Sequence, residues 1–169
     1  MRLFIALRFD EEILRALADF QARLKACEVR GHYATEENLH LTLAFIGEYG
    51  EPDAVLDAME AAAFASFPLR LDGMGTFRDL YWAGVEKHPA LFGYAKRLRR
   101  ALAEREIPYD RKRFSPHITV LRKASWQGEG LPDAAPPVGE MEARGVSLMR
   151  SERGKHGMIY TEIGWTGET

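Results

Sequence analysis

The sequence predicts an α+β protein of two similarly built halves arranged around antiparallel or mixed sheets. Short apolar runs alternate with segments of helical periodicity, in the rough order β-α-β-α-β-β and then α-β-β-β. Several strand candidates follow one another with only a turn between them, which favours hairpins over parallel crossovers. A four-residue pattern, His-x-Thr-x with aliphatic x, occurs once in each half, at 40–43 and at 117–120. Together these give a two-lobed molecule, with residues 1–169 forming one unit.

Each element has a local reason. Residues 2–8 (RLFIALR) are apolar and short, as a buried strand is. Asp10 suits a helix N-cap, Glu11 and Glu12 favour the positive end of the helix dipole, and Ile13, Leu17, Phe20 and Leu24 share one face, so the first helix runs to about residue 26. Residues 39–47 begin with alternation and stop at Gly47, a strand. Pro52 opens a second helix with Val55, Leu56, Met59 and Ala63 as its apolar stripe. Residues 69–72 and 80–86 read as strands around a turn-like GMGTF, and Phe77 and Trp82 read as core residues. Pro89 opens a third helix with Leu91, Ala95, Leu98 and Leu102 on one face. Residues 117–121 form a strand after Pro116, 128–139 form a Pro/Gly-rich connector, and 141–150 and 158–165 form two strands joined by SERGKHG.

Composition narrows the function classes. A chain of 169 residues, 46% hydrophobic and 28% charged, buries roughly 70% of its extended surface on folding and needs no disulfide or metal to do so. A single cysteine, Cys27, makes no internal disulfide and fits a reducing cytoplasm. No apolar run reaches the length of a membrane helix, and the N-terminal apolar run is too short for a signal peptide. The net charge of −2 argues against a protein coated in positive charge. It is nevertheless segregated: residues 96–123 hold ten basic and three acidic side chains, a net of +7, against −9 for the remainder. Arg99 and Arg100 read as a solvated helix face. Arg111, Lys112 and Arg113 stand close before Phe114 and His117, where they would attract a polyanion and disfavour a proton on His117.

The paired motif carries the chemistry. Residues i and i+2 of a strand share a face, so His40 projects with Thr42 and His117 with Thr119, while Leu41, Leu43, Ile118 and Val120 point inward. Taken singly, such a triplet is most often a half-exposed surface pair. Two matched copies on neighbouring strands would bring two imidazoles and two hydroxyls to one spot. Imidazoles serve as general acid and base near neutral pH. Hydroxyls donate to phosphate oxygens without adding charge. In-line attack on a phosphodiester needs that set and no metal. The chain has no zinc-type cysteine spacing, no dense ligand cluster and no Walker-type loop, and no cofactor is expected. His32, His88 and His156 lack a partner pattern and read as surface or loop histidines.

These motifs and their flanks (MRLFIAL, ENLHLTLAFIGE, GMGTF before LYWAGV, RFSPHITVLR and SLMRSERGKHGMIYTEIGW) resemble the two-histidine phosphoesterase superfamily over nearly the whole chain. Within it the resemblance is to the RNA 2′,3′-cyclic phosphodiesterases, formerly 2′–5′ RNA ligases. The resemblance implies a bilobal α+β fold with pseudo-two-fold symmetry around a central cleft. It implies metal-independent hydrolysis of RNA terminal 2′,3′-cyclic phosphate to a 2′-phosphomonoester, with 2′–5′ ligation as the reverse chemistry. By motif position His40 is the proton donor, His117 the proton acceptor, and Thr42 and Thr119 the phosphate binders. Relatives often carry Trp shortly before the first motif, where this chain has Tyr33. Arg122 matches the family's basic residue after the second motif, yet strict alternation places it opposite His117, so it reaches the cleft only through a bulge. Tyr33 and Phe114 are candidates to stack a base, with Arg111 and Arg113 as phosphate-attracting neighbours. The expected partners are RNA ends or nucleotides bearing a 2′,3′-cyclic phosphate, with the protein a cytoplasmic monomer. Two other readings stay open: a non-catalytic RNA- or nucleotide-binding module, and a phosphodiesterase for a small cyclic nucleotide phosphate.

Overall fold

The computed structural model describes residues 1–168. Its strands are β1 (Arg2–Leu7), β2 (Arg30–Tyr33), β3 (Leu41–Glu48), β4 (Phe67–Phe77), β5 (Leu80–Val85), β6 (His117–Ser125), β7 (Glu140–Ala143), β8 (Gly145–Gly154) and β9 (Gly157–Gly167). Three α-helices intervene, α1 (Glu11–Ala26), α2 (Pro52–Ala61) and α3 (Pro89–Glu104), with a 3₁₀ turn at Glu36–Asn38. The sheet runs in the order β7-β4-β5-β6-β3-β1-β8-β9, and β2 adds to β6. Each pairing is antiparallel.

The α+β, two-lobed expectation holds. One half-sheet is built on β6 and β5, the other on β3, β1 and β8. They meet at a single backbone pair, Leu41 opposite Ile118, the second residue of each His-x-Thr-x motif. Alternation in β1 explains how the sheet serves two faces. Leu3, Ile5 and Leu7 enter the main core beneath the helices, while Phe4 and Ala6 form a small separate cluster with Met149 on the opposite side. A strand buried on both faces reads as an unbroken apolar run, as residues 3–7 do.

Helix α1 follows its sequence signals closely. The Asp10 carboxylate accepts from the Ile13 N–H at 3.1 Å, a cap worth about 1 kcal/mol. Ile13, Leu17, Phe20 and Leu24 are fully buried, and truncating one of the leucines to Ala would cost about 2–5 kcal/mol.

Other elements differ from expectation. The GMGTF segment is not a turn: β4 continues through it to Phe77, and the chain reverses at Arg78 and Asp79, with Arg78 taking a positive φ of 56°. Phe77 is therefore at a strand tip, 67% exposed and not in the core, and Trp82 is half-buried. Helix α2 ends at Ala61, so Ala63 falls outside the stripe and is exposed at φ 54°. The run 141–150 is two strands broken at Arg144, where β7 pairs with β4 and β8 with β1. Strand β2, from Arg30 to Tyr33, carries little apolar pattern and is held by pairing with β6. The connector 128–139 lacks helix and strand.

Candidate active site

The Leu41–Ile118 pair fixes the register of the two motifs. In an antiparallel ladder it sets His40 across from Thr119 and Thr42 across from His117. All four side chains line one open cleft of about 760 Å³, together with Phe4, Phe45, Arg122, Arg153 and Tyr160. The residues singled out by spacing are thus brought together.

Each histidine is oriented by its own chain. His40 Nδ1 lies 2.8 Å from the Asn38 carbonyl, and His117 Nδ1 lies 2.8 Å from the Ser115 carbonyl, two residues back in both cases. A carbonyl only accepts, so Nδ1 carries the proton in each ring and Nε2 is left for chemistry. His40 Nε2 is 2.9 Å from Thr42 Oγ1, an acceptor for that hydroxyl while the ring is neutral.

Their surroundings differ. His40 is half-buried between Phe4, with ring centroids 4.9 Å apart, and Tyr160, edge-on at 5.3 Å. His117 is exposed. Burial lowers the His40 pKa from its ordinary value near 6.5; the bond to Asn38 opposes this, and the charges of Arg122 and His117 add to the lowering. Arg122 is thus a cation of the cleft whose charge bears on His40.

Arg122 reaches the cleft through a bulge. Tyr81 pairs with Leu121 and Trp82 with Thr119, so β6 carries one extra residue, Val120. Alternation breaks there, and Arg122 shares the cleft with His117 and Thr119. The same happens in β3. Ile5 pairs with Ala44 and Ala6 with Thr42, which makes Leu43 the extra residue and turns Phe45, 53% exposed, into the cleft. Both strands thus present residues at offsets 0, +2 and +5 from the histidine. Sequence reasoning missed Phe45. The signal was two successive apolar residues after each threonine, Leu43-Ala44 and Val120-Leu121.

The remaining expected residues are distributed around this centre. Arg113 and Phe114 line an adjoining hollow of about 340 Å³ that shares Thr42, Phe45 and His117 with the cleft. Arg111 stacks on Tyr109 at 5.2 Å and lines none of these hollows. Tyr33 lines a second cleft of about 500 Å³ on the other side of His40, Thr119 and Arg122. Its hydroxyl donates to the Val29 carbonyl at 2.7 Å, and burial, with Tyr81 and Cys27 nearby, pushes its pKa up to about 12. His32 and His156 are exposed, the latter in the turn between β8 and β9, as expected of surface or loop histidines, and both line that second cleft. His88 caps α3, accepting from the Ala90 N–H at 3.0 Å. Arg99 is not a solvated helix residue: it is half-buried and donates to the Lys112 and Leu43 carbonyls. Among the described residues no group of three or more His, Cys, Asp or Glu is placed to hold a metal ion, and no helix is long and apolar enough to cross a membrane.

The family model for the 2′-5′ RNA ligase superfamily matches residues 9–155. The chain belongs to that superfamily, the two-histidine phosphoesterases. It is 30% identical over 176 residues to the RNA 2′,3′-cyclic phosphodiesterase of Archaeoglobus fulgidus, covering 96% of this chain and 98% of that protein. It is 34% identical over 135 residues to the phosphodiesterase of the same name from Geobacillus stearothermophilus, covering 75% of this chain but only 42% of that longer protein. Among solved structures, apo LigT of Escherichia coli superposes with a TM-score of 0.83 at 30% identity, over 98% of this chain and 96% of that one. The curled antiparallel sheet with its flanking helices is the architecture of this superfamily.

Proposed function

We propose that the protein hydrolyses terminal 2′,3′-cyclic phosphate on RNA to a 2′-phosphomonoester by two-histidine acid/base catalysis. The observation that carries the reading is the convergence of His40, Thr42, His117 and Thr119 on one cleft across the Leu41–Ile118 pair. His117, exposed in the cleft, takes a proton from the attacking water as its oxygen bonds to phosphorus. The P–O3′ bond breaks, and His40 returns a proton to the departing 3′ oxygen. Thr42 and Thr119 donate to the non-bridging oxygens, and Arg122 stabilises the added negative charge. The low affinity of His40 for a proton suits an acid that must release it. The arriving phosphate anion offsets the Arg122 charge and restores the imidazolium before chemistry. A 5′-hydroxyl in place of the attacking water forms a P–O5′ bond as the P–O3′ bond breaks, which is 2′–5′ ligation, and the same steps run backwards cleave that bond.

The curated relatives named above are RNA 2′,3′-cyclic phosphodiesterases, and an Escherichia coli LigT structure holds 3′-AMP, which supports a nucleotide in this cleft. The adjoining hollow with Arg113 and Phe114 favours an oligonucleotide over a mononucleotide, with Phe114 and Tyr33 as stacking surfaces. Residues 1–169 then act as one bilobal catalytic domain, monomeric, needing no cofactor, in the cytoplasm.

Purified protein in excess EDTA should open an oligonucleotide ending in 2′,3′-cyclic phosphate and leave only a 2′-phosphate. A 3′-phosphate product, or full activity in either His40→Ala or His117→Ala, overturns the mechanism. Binding without turnover makes the chain a nucleotide-binding module. Equal kcat/KM on the mononucleotide and the oligomer returns the substrate to a small cyclic nucleotide phosphate.

A further inference from the structure

Each motif strand carries an extra residue between its motif threonine and the residue five after its histidine, and the carbonyl of that extra residue is met by a side chain from a helix. From α1, Gln21 Nε2 donates to the Val120 carbonyl at 3.0 Å and to the Ala34 carbonyl at 2.9 Å. From α3, Arg99 Nη2 donates to the Leu43 carbonyl at 3.4 Å and Nη1 to the Lys112 carbonyl at 2.6 Å. Val120 and Leu43 are the bulge residues of β6 and β3. Ala34 and Lys112 lie in the segments leading into His40 and His117. Each donor therefore ties the lead-in of one motif to the bulge of the other.

The two donors are equivalent by position. Helices α1 and α3 are both 16 residues long, and Gln21 and Arg99 are each the eleventh residue. Gln21 is one of only two buried polar residues among those described, the other being Ser147. A buried amide is kept where its donors are used. Arg99 is further held over Tyr109 and Phe114, each 5.8 Å from the guanidinium carbon.

We infer that Gln21 and Arg99 are paired positioning residues, each holding a bulge that aims the residue five after a motif histidine into the cleft. Gln21 keeps Arg122 facing the phosphate, and Arg99 keeps Phe45 there. Gln21 lines neither the cleft nor the adjoining hollow, and Arg99 borders only the hollow. The Val120 carbonyl also accepts from the Ala34 N–H at 3.0 Å, so Gln21 bonds to both ends of that backbone contact and fastens it to α1, while Arg99 fastens the Leu43 bulge to α3. If a bulge relaxes, strict alternation returns and the residue at +5 turns to the opposite face. The inference rests on the catalytic reading above for its kinetic arm only.

The test compares Gln21→Met, Arg99→Met, Arg122→Met and Phe45→Ala with the double variants Gln21→Met/Arg122→Met and Arg99→Met/Phe45→Ala. Folding is checked by thermal melting. His40 titration is followed by NMR, since Arg122 and His117 are the charges acting on it. Gln21→Met should raise the His40 midpoint as Arg122→Met does, and should add nothing in the Arg122→Met background. It should lower kcat/KM on the cyclic-phosphate oligonucleotide on the order of tenfold, mainly through kcat. Arg99→Met should be non-additive with Phe45→Ala and leave the His40 midpoint in place. An unchanged midpoint in folded Gln21→Met, or full additivity in both pairs, overturns the inference while the phosphodiesterase reading stands. A wild type without turnover overturns that reading, and the NMR arm still decides the positioning role. If Gln21→Met does not fold, half-exposed Arg99 carries the decision: Arg99→Lys, a single donor centre unable to span two carbonyls, should match Arg99→Met, and wild-type rates in it overturn the inference.

Discussion

The two halves of the active site share a backbone plan and differ in what surrounds it. His40 and His117 have the same Nδ1 bond to a carbonyl two residues back, at the same 2.8 Å, and the same offsets to their cleft-facing neighbours. Yet His40 sits between two aromatic rings with its Nε2 against Thr42, and His117 stands exposed with Arg113 and Phe114 beside it. The difference teaches that a repeated motif supplies placement, while the groups packed around each copy supply its proton affinity. In the proposed mechanism two identical imidazoles take different roles because Phe4, Tyr160 and Arg122, none of which belongs to the motif, surround one of them.

The largest expected effect removes the comparison altogether: His40→Ala and His117→Ala should each lower kcat by about 10²–10⁴-fold, measured on a cyclic-phosphate oligonucleotide, with binding retained. Next, the threonines should separate. Thr42→Val removes a phosphate donor and the partner of His40 Nε2, so it should cost roughly tenfold more in kcat than Thr119→Val, and only Thr42→Val should move the acid limb of the pH–rate profile. Third, the buried histidine should mark the stability profile. Its pKa is lower folded than unfolded, so the unfolded chain binds more protons between the two values. Stability is then complete above about pH 6.5 and falls as pH drops towards the folded value, and thermal melts of His40→Gln across pH 5–8 should lack that component. Smallest, Tyr160→Ala admits water beside His40 and should raise its NMR midpoint modestly. A reversal of the threonine order would break the proposed division of roles.

Much of this was legible in the sequence, for local reasons. Asp10 with Glu11 and Glu12, followed by a 3.6-residue stripe, marks α1 to within one residue, and Pro89 with its stripe marks α3 equally well. The convergence of His40, Thr42, His117 and Thr119 was legible because period-two spacing survives for three residues in both strands. What lay beyond the third residue was not, since Phe45 and Arg122 depend on bulges that tertiary partners stabilise. Strand β2 was illegible because Arg30–Tyr33 owes its conformation to β6. The GMGTF segment was misread because its glycines resemble a turn, while in β4 Gly75 admits the Trp82 ring, which a Cβ there would meet, and Gly73 takes a φ of 78°. His32 and His156 reach the second cleft from a strand and a hairpin far apart in sequence, a proximity no local pattern encodes.

The single Leu41–Ile118 rung has a consequence for how the chain tolerates changes in length. Residues 128–139, outside any ladder, can absorb an insertion without disturbing the cleft. One residue added between His40 and Phe45, or between His117 and Arg122, would turn the following side chain to the other face. A slip of the rung itself by one pair would displace one histidine against the other by about 3.3 Å, the width of a hydrogen bond. The spacing of the two histidines is thus kept by counting residues, and insertion scanning should find residues 128–139 tolerant and the windows 40–45 and 117–122 intolerant.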